Sequence, residues 1–116
     1  MIERMFDYER RGVANHIHRA SERLRERARR ATPGVWRAVP TDGGGARIIG
    51  RDGEEVAVAT GAWASGTALY LATVDPHTSY IIAELMWRCE APIRRGELPS
   101  PIAAQLRTLA AAILAE

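Results

Sequence analysis

The residue types that carry most enzyme chemistry are few in this sequence and stand far apart. There is one cysteine, Cys89, and there are three histidines, His16, His18 and His77. On a helix, His16 and His18 would point about 200° apart, so they cannot bind the same metal ion. Cys89 falls within an apolar helical pattern, which predicts a buried and unreactive thiol. We therefore expect no metal site and no cofactor.

A nucleophile with a positioned base is not evident either. Nucleophilic catalysis needs a serine, cysteine or threonine held beside a histidine or carboxylate. Asp52, Glu54 and Glu55 form a cluster, but they fall at the tip of a predicted hairpin instead of in a cleft. The run Gly43–Gly45 lacks the strand–loop–helix context and the lysine of a phosphate-binding loop. The sequence thus predicts a protein that is not an enzyme and has no catalytic residues.

The segment 60–67 leads from a predicted strand into a predicted helix. Its small residues and hydroxyls would leave backbone N–H groups free at the helix N-terminus, where anions bind readily. A nearby aromatic ring can stack on a base, and arginines of the neighbouring strands can pair with phosphates. We predict a site for a small anionic, nucleotide-like ligand, formed by Trp63, Ser65, Gly66, Thr67, Tyr70, Arg37, Arg47 and Arg51. The alternative is an ordinary loop in which Ser65 caps the helix and Trp63 lies in the core.

A second candidate surface lies in the basic N-terminal part of the chain. Residues 1–31 contain nine arginines and five acids, a net charge of +4. Arginines at such density can contact the phosphates of nucleic acid or an acidic partner surface. The residues that would do so are Arg19, Arg23, Arg27 and Arg30. Glu22 and Glu26 dilute this charge and no helix-turn-helix pattern is present, so a solvated helix face is the alternative.

Length and composition indicate a single folded domain over residues 1–116. The chain is 47% apolar and 26% charged with a net charge of +2, which excludes a disordered protein. One cysteine excludes a disulfide framework. The N-terminal residues lack the apolar region of a signal peptide, and the apolar runs are too short to span a membrane. We expect a cytoplasmic protein that does not bind membranes.

Residues 1–31 have the pattern of a basic amphipathic helix. Apolar residues recur at spacings of three and four, which places on one stripe Val13, Ile17, Ala20, Leu24 and Ala28. Ile2, Met5 and Phe6 begin a similar stripe, whereas Gly12 weakens the helix by about 1 kcal/mol relative to alanine. Because the helix is long for so small a protein, we predict that its apolar stripe forms the interface of a homo-oligomer.

Residues 35–60 have the pattern of an antiparallel meander. The predicted strands span residues 35–39, 46–50 and 55–60. Between the last two, Asp52-Gly53 signals a tight turn with positive φ at both central positions. In the third strand, we expect Val56 and Val58 on one face and Ala57 and Ala59 on the other.

Residues 67–115 form the predicted helical part. Helices should begin at Thr67, at Asp75-Pro76 and at Ser100-Pro101, the last two with a capping residue before proline, and the second should end near Cys89. The residues expected to be buried are Ile81, Ile82, Leu85, Met86, Ile102, Leu106, Leu109, Ile113 and Leu114. The last helix offers a second surface for a homo-oligomer. The overall expectation is an α+β fold with a long N-terminal helix, a small three-stranded antiparallel sheet and two to three C-terminal helices.

The order of three segments resembles a known group of proteins. A basic helix runs into Ala31-Thr32-Pro33-Gly34-Val35-Trp36, a short β region follows, and residues 68–76 (ALYLATVDP) lead into an apolar helix. This order is similar to that of small phage and actinobacterial proteins with a T-P-G-P-W motif, among them the Ead-like proteins of temperate phages. The match covers about residues 17–90, and Val35 replaces the second proline. The resemblance implies a phage or prophage accessory protein made in the host cytoplasm, of a kind that often acts on host machinery or host defence.

Two functional hypotheses follow. In the first, the chain is a non-enzymatic phage-type accessory protein that sequesters a small anionic ligand or inhibits a host protein. In the second, it is a nucleic-acid-binding regulator that uses the arginine-rich first helix. The Thr-Pro-Gly-x-Trp unit itself predicts a structural role, because Pro33 and Gly34 turn the chain and Trp36 can fold onto the helix that it leaves.

Overall fold

The computed structural model describes residues 7–115 and has an α+β fold, as predicted. A long helix, α1, is followed by three strands and then by three helices. The bounds are α1 Asp7–Arg30, β1 Arg37–Pro40, β2 Ala46–Ile49, β3 Glu55–Ala59, α2 Ala64–Thr73, α3 Pro76–Arg94 and α4 Ser100–Leu114. The predicted stripe residues Ile2, Met5 and Phe6 lie outside the described residues.

The chain divides into two compact units. The helical unit comprises Met1–Glu26 and Ile81–Glu116, and the sheet unit comprises Arg27–Tyr80. Each unit has its own cluster of buried apolar side chains.

The core of the helical unit contains the stripe that the spacing predicts on α1. Val13, Ile17 and Ala20 are buried, and α1 continues through Gly12 without a break. They pack in one cluster with Met86, Ile93 and Ala110, and half-buried side chains of α3 and α4 surround it. Because this stripe is used by the core of its own chain, the prediction that it forms an intersubunit interface is wrong. The second predicted oligomer surface, on α4, stays a prediction.

The buried faces of α3 and α4 differ in part from the predicted ones. Ile82, Met86, Leu106, Ile113 and Leu114 belong to the core or pack against it, as predicted. Ile81, Leu85, Ile102 and Leu109 are exposed, which corrects the prediction for these four residues. On α3 the buried positions are Pro76, Ala83, Met86, Glu90 and Ile93. This helix carries apolar residues on most of its circumference, so residue type alone does not select the buried stripe.

Helix α3 is longer than the sequence predicts, because Pro92 does not end it. The helix continues to Arg94, so Pro92 lies within its last turn. The helix then ends at Gly96, which has a φ of 69°. The N–H of Gly96 donates to the carbonyl of Ile93, and the N–H of Glu97 donates to the carbonyl of Pro92. This is the hydrogen-bond pattern of a Schellman motif, which satisfies carbonyls that a helix end leaves open. Burial of Ile93 keeps the last turn in place.

The sheet unit contains an antiparallel sheet of order β1-β2-β3. The turn between β2 and β3 has positive φ at Asp52 (68°) and at Gly53 (75°), as predicted. Next to this turn, the pairing of β2 with β3 shifts register between Ile48 and Ile49. Ile48 lies opposite Ala57, and Ile49 lies opposite Glu55. Such an irregularity interrupts the alternation of faces. Val56 and Ala57 therefore both pack against the buried cluster, and the simple alternation predicted for β3 is wrong at Val56.

Candidate binding site

Helix α2 lies against the sheet and carries most of the predicted ligand site. Ala64, Ala68 and Leu71 pack in the same cluster as Ala46 and Ile48 of β2. The helix begins three residues before the predicted start, because the chain turns at Gly61, whose φ is 91°. Its N-cap residue is Trp63, without a side-chain cap. The expectation that Ser65 caps this helix is therefore wrong.

The ring of Trp63 projects into solvent. Its side chain is 82% exposed, so the alternative that placed Trp63 in the core is also wrong. At 100° per residue, Trp63, Thr67, Tyr70 and Val74 fall on one stripe about 60° wide. All four are exposed, Tyr70 to 66%. We call these four residues the α2 stripe; it lies beside the face of α2 that carries Ala64 and Ala68.

The chain segment that carries the α2 stripe is uncharged. Residues 60–74 contain no aspartate, glutamate, lysine or arginine, although 26% of the chain is charged. The predicted site residues Ser65, Gly66 and Thr67 are exposed beside Trp63. A neutral surface with two large aromatic side chains and small polar neighbours has the composition of an interface core, from which charged residues are depleted.

Two of the predicted site arginines lie on the opposite face of the sheet. Arg47 stands between Ala46 and Ile48, whose side chains pack with α2, so strand alternation directs Arg47 away from this helix. On that far face, its Nε donates a hydrogen bond of 2.8 Å to the Glu55 carboxylate. Arg37 likewise stands between Trp36 and Ala38, which both pack against the α2-side cluster. Neither guanidinium can share a pocket with Trp63.

The third predicted arginine, Arg51, lies in the β2–β3 turn. That turn joins the end of β2 to the start of β3, whereas residues 60–63 follow the other end of β3. A five-residue strand separates the two by about 16 Å. The structure thus places Trp63, Thr67 and Tyr70 on one stripe, puts Ser65 on a different side of α2, and leaves all three arginines apart from Trp63. A nucleotide pocket built from this whole set does not form.

The four arginines of the second hypothesis have different surroundings. The Nη1 of Arg23 donates a hydrogen bond of 3.0 Å to the carbonyl of Leu114, so it binds the C-terminal end of α4. Arg27 and Arg30 are exposed in the last turns of α1. Arg19 lies earlier in α1, and its side chain lines a groove of the helical unit. At least one member of the set, Arg23, is therefore occupied by a contact within the protein.

That groove was not anticipated from the sequence. Its volume is about 680 Å³, and its lining includes Glu9, Gly12, His16 and Arg19 of α1 together with Arg107 of α4. The spacings of three, four and three on α1 place those four residues on one face of the helix, which a search by spacing would have found. The position of Arg107 in this groove depends on the tertiary packing of α4, and no local sequence pattern indicates it.

A buried carboxylate was also missed. Glu90 is 6% exposed, and its Oε1 lies 3.1 Å from Nδ1 of His18, 72 positions earlier in the chain. Arg94 Nη1 lies 3.8 Å from the same oxygen, and Arg94 Nη2 donates a hydrogen bond of 2.8 Å to Asn15. Glu90 Oε2 has no hydrogen-bond partner among the described residues. These contacts join α1 to α3 in the helical unit.

A second buried carboxylate, Asp75, connects two motifs of the sheet unit. It is 2% exposed; its Oδ1 accepts a hydrogen bond from the N–H of Thr78 (2.9 Å), and its Oδ2 accepts one from the N–H of Trp36 (3.0 Å). Burial raises the pKa of Asp75, but the backbone and side-chain hydrogen bonds of Thr78, the hydrogen bond from the Trp36 N–H and the electrostatic effect of His77 together lower it by more, so this pKa lies below its ordinary value. Asp75 caps α3 as predicted. The Trp36 indole N–H donates to the Thr32 carbonyl at 2.9 Å and its ring packs on the sheet cluster, which supports the structural role of the Thr-Pro-Gly-x-Trp unit.

No family model, curated protein or solved structure matches the chain. The resemblance to phage and actinobacterial proteins therefore stays a prediction. Within residues 7–115, no helix combines the length and apolar character needed to cross a bilayer. The same residues contain no group of three or more histidine, cysteine, aspartate or glutamate side chains arranged to hold a metal ion.

Proposed function

We propose that this protein is a non-enzymatic binding module whose α2 stripe docks against a protein partner. The observation that carries the proposal is the 82% exposure of Trp63, on the same helix stripe as the exposed Tyr70. Each such ring can bury roughly 150–250 Å² in an interface, which is worth about 4–6 kcal/mol before the cost of association. Tryptophan and tyrosine are also the residue types most enriched among interface hot spots.

The charge distribution favours a protein over a nucleotide or a nucleic acid as the partner. Phosphate groups need cations nearby, but residues 60–74 are uncharged. Arg37 and Arg47 project from the far face of the sheet, so they do not supply those cations. An apolar patch on a protein surface matches a neutral aromatic stripe. This proposal corresponds to the part of the first hypothesis in which a phage-type accessory protein inhibits a host protein.

Affinity capture from bacterial lysate tests the proposal with three forms of the protein. The double substitution Trp63→Ala with Tyr70→Ala removes both rings from the α2 stripe, and both residues are exposed, so the fold should be kept. Trp87→Ala is the matched control, because Trp87 is 51% exposed on α3, in the helical unit. Circular dichroism establishes that all three forms are folded.

We expect a protein that the wild type and Trp87→Ala retain and the double variant loses. Equal retention by all three forms would contradict the proposal. A different oligomeric mass for the double variant than for the wild type would also contradict the proposal, since the α2 stripe would then bind a second copy of the same chain.

A further inference from the structure

The groove between α1 and α4 of the helical unit has a lining that suits an anion. Arg19 and Arg107 reach it from two different helices, and His16 lies one turn of α1 away from Arg19. At 1.5 Å per residue, the four α1 positions from Glu9 to Arg19 extend over about 15 Å. The groove volume of about 680 Å³ falls in the range of small-molecule sites.

The guanidinium groups of Arg19 and Arg107 have no hydrogen-bond or ion-pair partner within residues 7–115. Other arginines of the same unit are paired, for example Arg94 with Asn15 and Arg95 with Glu97. Two like charges that line one groove repel each other, so an anion bound between them would be favoured.

Gly12 leaves the floor of the groove open. It is the sixth residue of the 24-residue helix α1, inside the helix, where glycine costs about 1 kcal/mol relative to alanine. A Cβ at this position would meet nothing within 4 Å, so packing does not require glycine here. The missing side chain instead allows a ligand to approach the helix backbone.

We propose that this groove binds a small phosphate monoester, with the phosphate held between Arg19 and Arg107. Planar guanidinium groups match the oxygens of a phosphate in bidentate fashion, which favours this anion class. From there, the rest of the ligand extends past His16 and over Gly12 toward Glu9. The imidazole and the carboxylate there can bond to hydroxyl groups, as a sugar provides. Glu9 also disfavours a second anionic group at that end.

Calorimetric titration of the full chain with AMP, inorganic phosphate and adenosine tests this site. We expect saturable binding of AMP, weaker binding of phosphate and no binding of adenosine, all at low ionic strength. The double variant Arg19→Ala with Arg107→Ala should weaken AMP binding about tenfold or more, because each substitution removes a charge-assisted hydrogen bond to the phosphate. Arg11→Ala is the control: it removes one arginine charge from an exposed position of α1 outside the groove lining.

Gly12→Leu gives an independent test, because its side chain fills the groove and leaves both arginines in place. This variant should also weaken AMP binding about tenfold, since the leucine side chain displaces the part of the ligand that lies over the helix backbone. Adenosine binding as tight as that of AMP would overturn the proposal. So would the absence of saturable AMP binding up to about 10 mM, or equal loss in Arg11→Ala. The site is separate from the α2 stripe, so AMP binding by the Trp63→Ala, Tyr70→Ala variant should equal that of the wild type.

Discussion

The carboxylate of Asp75 accepts the backbone N–H of Trp36 at 3.0 Å, across 39 positions of the chain. With its other oxygen, it accepts the N–H of Thr78 and so caps α3. One buried side chain thus fixes both the start of β1 and the start of α3. The Thr-Pro-Gly-x-Trp turn and the Asp-Pro helix start, which look independent in the sequence, form one structural element.

Asp75→Asn should destabilise the protein by about 1–3 kcal/mol. In the amide, an NH2 group replaces one of the two accepting oxygens, so the N–H of either Trp36 or Thr78 loses its acceptor. Chemical denaturation monitored by circular dichroism measures the difference. As a control, Asp42→Asn changes an exposed loop carboxylate and should alter stability by less than about 0.5 kcal/mol. Equal stability of wild type and Asp75→Asn would show that the two hydrogen bonds contribute nothing.

The same carboxylate should make stability depend on pH in acid. The pKa of Asp75 is lower in the folded protein than its ordinary value of 3.8. Between these two pKa values, the unfolded chain binds a proton that the folded chain does not, so stability falls as the pH falls. The contribution of Asp75 to stability is complete above its ordinary pKa. It is lost as the pH falls through the lower pKa that Asp75 has in the folded protein. Unfolding free energies measured from neutral pH to below pH 3.8 should therefore decline more steeply for the wild type than for Asp75→Asn. Parallel curves would refute this assignment.

Gly12→Ala should stabilise the protein by up to about 1 kcal/mol. Alanine has the higher helix propensity, and its Cβ would meet nothing within 4 Å. Thermal and urea denaturation both measure this gain. Glycine at the site is therefore not required by the fold, which is the basis for assigning it to ligand approach. A loss of stability in Gly12→Ala would mean that the helix needs glycine for a structural reason.

His18→Ala should cost about 1 kcal/mol, because it takes a hydrogen-bond partner from the buried Glu90 carboxylate. The control is His16→Ala, two positions away on the same helix, because His16 bonds to no other described residue. Urea denaturation of the two variants gives the comparison. If both substitutions had the same effect, the 3.1 Å contact of His18 with Glu90 would not contribute to stability.

Features set by neighbouring residues could be predicted from the sequence. The Asp75-Pro76 cap, the positive φ at Asp52 and Gly53, and the buried stripe of α1 depend on local geometry and short spacings. The proline at 92 misled the prediction of α3, because Gly96 and the burial of Ile93 act against its local preference. Tertiary packing decided this case, and local propensity could not reveal it.

The candidate site was only half accessible to sequence reasoning. The binding role of the segment around Trp63 stays a prediction, and its arginine neighbours were assigned by closeness in the sequence. Alternation along β2 places Arg47 on the other face, and this becomes known only when the packing of α2 is known. Exposure of Trp63 likewise depends on Ala64 and Ala68, which occupy the sheet-facing side of α2. The pairing of Arg19 with Arg107 in one groove links two helices far apart in the sequence.

Hydrogen exchange of the protein, alone and bound to its captured partner, tests the central claim most directly. We expect residues 61–74 to exchange more slowly in the complex, because the partner covers Trp63 and Tyr70. Exchange in the strands that carry Arg37 and Arg47 should change little. Unchanged exchange over residues 61–74, with protection of α1 or of the strands instead, would contradict the assignment of the α2 stripe as the docking surface.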